Sequence, residues 1–137
     1  SITVRLVIWD LAGQPSFDNV RSHYYAGSSG IILVYSVVDR DSFYNSSNWL
    51  IEAYKNRGDL PPSAVIGNKI DLRDSVSERE KVSPLEGLQF AKDYSEKLGV
   101  PVIFKETSAL TGENINETFI DLTKLMIEVD DKKKGKQ

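Results

Sequence analysis

The 137-residue chain contains no cysteine. Disulfides, thiolate metal ligands and thiol nucleophiles are therefore excluded, and so are prenyl or palmitoyl anchors on this chain. A cysteine-free chain suits the reducing cytosol, so a cytoplasmic location is expected, with any membrane contact made through partners. No apolar run approaches the length of a membrane span. No signal peptide is read, because the first residues already alternate like a strand. An excess of positive charge is lacking too. The formal net charge is -3, which argues against a broad nucleic-acid surface.

What is present is enough apolar material, 40% of residues, for one globular domain with a real core. The expected domain covers residues 1–129. The closing "DDKKKGKQ" (130–137) reads as a disordered, solvated, charged tail.

"SITVRLVIWD" alternates, with Ile2, Val4, Leu6 and Ile8 on one face, and reads as a strand. "GIILVYSV" (30–37) is nearly continuous apolar sequence, as expected of a strand covered on both faces of a parallel sheet. "DRDSFYNSSNWLIEAYKNRG" then turns helical, with Phe43, Leu50 and Tyr54 on one stripe and Gly58 as its stop. "SAVIGN" (63–68) is a short strand. "SPLE" (83–86) carries a capping Ser83, Pro84 at the first helical position and Glu86 three residues after the cap. Its helix is expected to reach about Leu98, with Gly99 ending it. "PVIFKETS" is another strand. "NINE" (114–117) reads as a second capping arrangement, opening a helix with Ile115, Phe119, Leu122, Met126 and Val129 as its apolar positions. Strands alternating with helices predict an α/β domain with a mostly parallel sheet.

Such sheets bind ligands beyond the carboxyl ends of their strands. Three strands end in polar loops that topology puts on one edge: "WDLAGQ", "GNKID" and "ETSAL". In the first, Asp10 is placed to hold magnesium, directly or through water. Gly13 lets its backbone N–H approach a terminal phosphate, and Gln14 has the donor and acceptor needed to orient an attacking water. In the second, the Asp71 carboxylate can accept from the N1–H and 2-amino group of guanine together. Adenine would offer it a lone pair instead, and sites of this kind discriminate by roughly 10⁴–10⁵. Asn68 can brace the loop and contact the base, and the Lys69 stem can cover the base plane. In the third, the backbone N–H groups of Ser108 and Ala109 are candidates to meet the guanine O6. Each loop taken alone also reads as an ordinary turn.

In combination they are specific. "WDLAGQ", "GNKIDL" and "ETSALTG", in this order, resemble the guanine half of the Ras-like small GTPases, and the likeness runs from about residue 2 to residue 129. "SHYYAGSSGIILVYSVVDRDSF" followed by "NWL" is similar to the Rab branch. The resemblance implies a P-loop NTPase-type fold, GTP/GDP and Mg2+ as ligands, and hydrolysis of GTP to GDP. Gln14 would be catalytic and Asp10 would lie in the metal shell. Gly13, Asn68, Lys69, Asp71, Ser108, Ala109 and Leu110 would bind nucleotide. The segment 12–25 would be a switch that meets exchange factors, activating proteins and effectors.

Several residues depart from the family pattern. Pro15 stands where glutamate is usual and is expected to stiffen the switch. Leu110 replaces a lysine in the base loop and is expected to loosen the pocket slightly. Asp71 and Ser108 are 37 positions apart, a long stretch. The extra residues are expected in "RDSVSEREKVS", as a polar, non-catalytic surface loop. His23, with Tyr24 and Tyr25, reads as switch-face packing rather than an acid–base group. No GxxxxGK(S/T) phosphate cradle occurs, so the fold is expected to lack the first two strands and first helix of the family. The cradle would lie upstream in a longer parent, come from another chain, or have been lost. The last case predicts a degenerate, non-hydrolysing interaction module.

Overall fold

A computed structural model describes residues 29–57 and 61–135. The expected first strand, the "WDLAGQ" loop with Asp10, Gly13 and Gln14, the switch residues through Tyr25, and Gly58 lie outside the described residues.

Three parallel strands form one sheet in the order β1 (Ile31–Ser36), β2 (Ser63–Asn68) and β3 (Val102–Glu106). Helix α1 (Arg40–Arg57) connects β1 to β2, and α2 (Pro84–Leu98) connects β2 to β3. Helix α3 (Ile115–Gly135) follows β3. The register pairs Ser36 with Asn68 and Gly67 with Glu106, so all three strands end along one edge.

β2 is the central strand of these three, and residues 63–67 are all buried. Its alternation feeds two cores, because successive strand side chains point to opposite faces. Val65 joins Tyr35, Val37, Val82 and Ala91 on one face, packed by Phe43, Phe90 and Phe104. Ala64 and Ile66 meet Leu122 on the other, with Ile32, Ile103 and Met126 against them. An edge-on aromatic chain ties α1 to α2: Phe43 lies 5.4 Å from Phe90, and Phe90 lies 4.7 Å from Tyr94, ring centre to ring centre.

The coverage of β1 is two-sided as expected but uneven, with Ile32 packed on the Leu122 side and Val34 left open. Leu33 and Tyr35 are buried under α1 and α2, but Val34, on the opposite face, is 47% exposed. The reason for the opening at Val34 lies in helix placement, since α3 rests mainly against β2 and β3.

The start of α2 carries the capping box. The Glu86 N–H donates to Ser83 Oγ at 3.2 Å, and the Ser83 N–H donates to Glu86 Oε1 at 3.1 Å. Gly99 ends the helix at φ 67, the left-handed conformation that costs glycine least. α3 starts differently from expectation. Asn114 is itself left-handed, with φ 61, and its side-chain amide donates to the Glu106 carbonyl at 2.8 Å. It ties the helix start to the end of β3, where an ordinary cap would have extended backbone. α3 also continues through Gly135, so residues 130–135 extend a helix where a disordered tail was expected. Glu128 precedes Lys132 by one helical turn, and lysines suit the negative end of the helix dipole.

Candidate functional site

Two of the three predicted loops are described, and they cross-brace each other at the sheet edge. Lys69 leaves β2 in the left-handed conformation, φ 67, and turns the chain into a short 3-10 helix, Ile70–Ser75. A lysine with positive φ is held against its own preference by its surroundings. Here the Ile70 N–H donates to the Thr107 carbonyl at 3.3 Å, and the Thr107 N–H donates to the Gly67 carbonyl at 2.8 Å.

Side chains complete the brace. Asn68 Oδ1 accepts from the Thr107 hydroxyl at 2.9 Å and from the Ala109 N–H at 3.3 Å. Its Nδ2 group remains as a donor. Ser108 Oγ donates to Asp71 Oδ1 at 2.8 Å and accepts from the Thr111 N–H at 3.1 Å. Thr107 and Ser108 are each 1% exposed. Asp71 and Lys69 lie at the surface. Asp71 Oδ2 makes no hydrogen bond among the described residues. A carboxylate thus sits at the strand edge with its orientation set through one oxygen and acceptor capacity left on both.

The base loop folds tightly behind these contacts. The Ser108 N–H donates to the Glu113 carbonyl at 3.2 Å, and the Gly112 N–H donates to the Ser108 carbonyl at 2.7 Å. Gly112 has φ 81, where a side chain would be strained. The two donors expected to face a guanine O6 are therefore both engaged inside the protein, Ser108 N–H by Glu113 and Ala109 N–H by Asn68. Leu110 projects outward at 81% exposure.

Several contributors carry no local sequence signal. Arg73 forks onto Glu106: Nη1 reaches Oε1 at 3.0 Å, and Nη2 is paired with Oε2. Nη2 also donates to the Val82 carbonyl at 3.1 Å. The carboxylate holds the Arg73 guanidinium firmly in its charged form. The long polar loop is less free than its composition suggests. It ends in Val82, which is fully buried, and whose N–H donates to the Val37 carbonyl at 2.9 Å. Arg40 grips its other side, donating from Nε to the Arg79 carbonyl at 3.1 Å and from Nη2 to the Lys81 carbonyl. Arg40 also pairs with Glu86 at 2.7 Å, and that hydrogen-bonded pair holds the Glu86 carboxyl down at about 2.

Beneath the site, the Tyr35 hydroxyl is buried without a hydrogen-bond partner among the described residues. Burial first, and then the nearby Glu106 charge, push its pKa well above the usual phenol value. It is a neutral core group. No cluster of three or more His, Cys, Asp or Glu suited to a metal occurs among the described residues. No described helix is long and apolar enough to cross a membrane.

A parallel α/β sheet with an Asn–Lys–x–Asp turn and a Thr–Ser–Ala loop locked together at its carboxyl edge defines a small GTPase-like domain. The Ras family model matches residues 1–128, and the chain belongs to the Ras family.

Proposed function

We propose that this protein is a guanine-nucleotide switch of the Rab-like type that binds GTP and GDP and hydrolyses GTP to GDP and phosphate. The observation that carries the reading is Asp71, exposed at the sheet edge and oriented by Ser108 Oγ at 2.8 Å. That carboxylate matches a purine bearing an N1–H and a 2-amino group, and mismatches adenine. Asn68, its carbonyl oxygen held by Thr107 and Ala109, keeps its amide donors for the acceptor edge of the base. The exposed Lys69 stem supplies apolar cover for the ring.

Family membership supports the remaining roles. Gln14 would orient the attacking water, the Gly13 N–H would meet the terminal phosphate, and Asp10 would help hold magnesium, which when bound would supply charge to offset that developing on the phosphate oxygens. Catalysis of this kind is positioning and charge stabilisation, and an activating partner supplies the arginine. Residues 12–25 form the face for exchange factors, activating proteins and effectors. The protein works in the cytoplasm.

The test is the nucleotide content of the purified protein, released by denaturation and separated by anion exchange. Near-stoichiometric GDP or GTP is expected, and its absence from folded protein turns the reading to the interaction module. Asp71→Asn should then exchange guanine for xanthine preference. Unchanged guanine binding in that variant refutes the base-pocket assignment.

A further inference from the structure

The turn that carries Asp71 is tied down at its first two residues, and its far end needs a hold of its own. None of the residues Ile70–Ser75 is buried, and Lys69 provides no side-chain cap. Its start is tied by the Ile70 N–H to the Thr107 carbonyl at 3.3 Å, by Ile70 packed against the Tyr35–Val65 core, and by the Ser108 hydroxyl on Asp71 at 2.8 Å. Those contacts all fall at residues 70 and 71, so the aim of the carboxylate also depends on what fixes the turn further along.

Arg73 stands two residues beyond Asp71 on the same short helix. Its guanidinium forks onto Glu106, and Glu106 stands one residue before Thr107 and two before Ser108. The pair therefore ties the turn bearing Asp71 to the strand end bearing the groups that aim Asn68 and Asp71. Both side chains are shielded, 23% and 16% exposed, so solvent weakens the pair less than it would at the surface. The same guanidinium also holds the Val82 carbonyl, and Val82 is hydrogen-bonded to Val37 beyond the end of β1. One side chain on the turn after β2 thus reaches the last residue of β3 directly and the chain after β1 through Val82. It reaches this position across 33 residues of sequence from Glu106.

Resting on the reading of the site as a guanine pocket, we propose that Arg73, through Glu106, is a positioning residue that sets how long the nucleotide stays bound, without touching the base. It fixes the angle and distance between the Asp71 turn and the Thr107–Ser108 strand end. Base identity is read by Asp71 itself. Loss of the brace should therefore shorten nucleotide lifetime and leave the choice of base alone.

The experiment is release of a fluorescent GDP analogue from the purified protein, chased with excess GDP. Arg73→Met keeps the aliphatic stem and removes every donor. Its release rate should rise about tenfold or more, the scale of a charge-assisted pair lost from a shielded site. Glu106→Gln should fall in the same range, and the double variant should release no faster than the faster single one, because both break one link. Arg73→Lys, with charge but no fork, should be intermediate. Guanine over xanthine preference should be unchanged in all of them. Leu122→Val, in the core on the other sheet face, serves as a stability control and should lower the Tm with little effect on release. If Arg73→Met releases at the wild-type rate, or only as fast as Leu122→Val, the brace is refuted. A shift toward xanthine in Arg73→Met also overturns it, because Arg73 would then take part in recognition. Wild-type protein that binds no guanine nucleotide overturns the pocket and the brace together, and so separates the two failures.

Discussion

Gly87 sits inside α2, where replacing glycine by alanine ordinarily gains about 1 kcal/mol of helix stability. Here the opposite is expected. A Cβ at Gly87 would lie 2.3 Å from the Tyr35 hydroxyl and 2.5 and 2.6 Å from two atoms of the Phe104 ring. Tyr35 cannot easily yield. Its ring is packed edge-on against Phe43 at 4.9 Å, and its hydroxyl end also presses on Gly67, where a Cβ would lie 2.8 Å away. Overpacking of this kind costs about 1–3 kcal/mol, and a pinned neighbour places it in the upper part of that range. Setting the helix gain against it leaves Gly87→Ala about 1–2 kcal/mol less stable, or roughly 4–10 °C lower in Tm. Tyr35→Phe separates the contributions. The Tyr35 hydroxyl has no partner to lose among the described residues, so this change alone should be neutral or slightly stabilising. In the Tyr35→Phe background the closest contact is gone and the Phe104 contacts remain, so about half the penalty should return. Urea unfolding of the four proteins reads the cycle. A Gly87→Ala variant that gains about 1 kcal/mol in both backgrounds, as at an exposed helix site, refutes the packing described for Tyr35.

Two further outcomes are expected. Gln14→Leu should cut GTP hydrolysis sharply while nucleotide content stays the same, and equal single-turnover rates would remove Gln14 from the mechanism. Arg40 and Glu86 should give a pH signature. The hydrogen bond from Arg40 lowers the Glu86 carboxyl from 4.5 unfolded to about 2 folded. A depressed folded value stabilises above the unfolded one, so this contribution is present at neutral pH and fades as pH falls from 4.5 toward 2. The stability gap between wild type and Arg40→Met should narrow over that window, and a gap constant with pH would show that the ion pair contributes nothing.

The legible parts of this fold share a physical cause. "SAVIGN" and "SPLE" announce themselves because their signals are local. β2 occupies Ser63–Asn68 and α2 occupies Pro84–Leu98, as expected from a buried apolar run and from a cap, a proline and a terminal glycine within one element. The Asn68–Asp71 turn and the loop after Glu106 could be paired from topology, because parallel strands joined by helices must end on one edge. What stayed hidden depends on distant partners. Whether Val34 is covered depends on where α3 lies, which no property of "IILVYS" reveals. The same holds for Asn114, whose amide turns to Glu106. The sharpest case is the base loop. Ser108 and Ala109 offer backbone donors that chemistry alone assigns to a ligand. Folding instead commits both to Glu113 and Asn68. A donor already satisfied within the protein is a poor choice for reading a base, but it stiffens the loop. On the proposed guanine reading, discrimination would concentrate on Asp71, which is both aimed by Ser108 and open at the surface. On the same reading, the arginine fork would add to the Ile70 packing and the Ser108 bond in holding the turn beneath it.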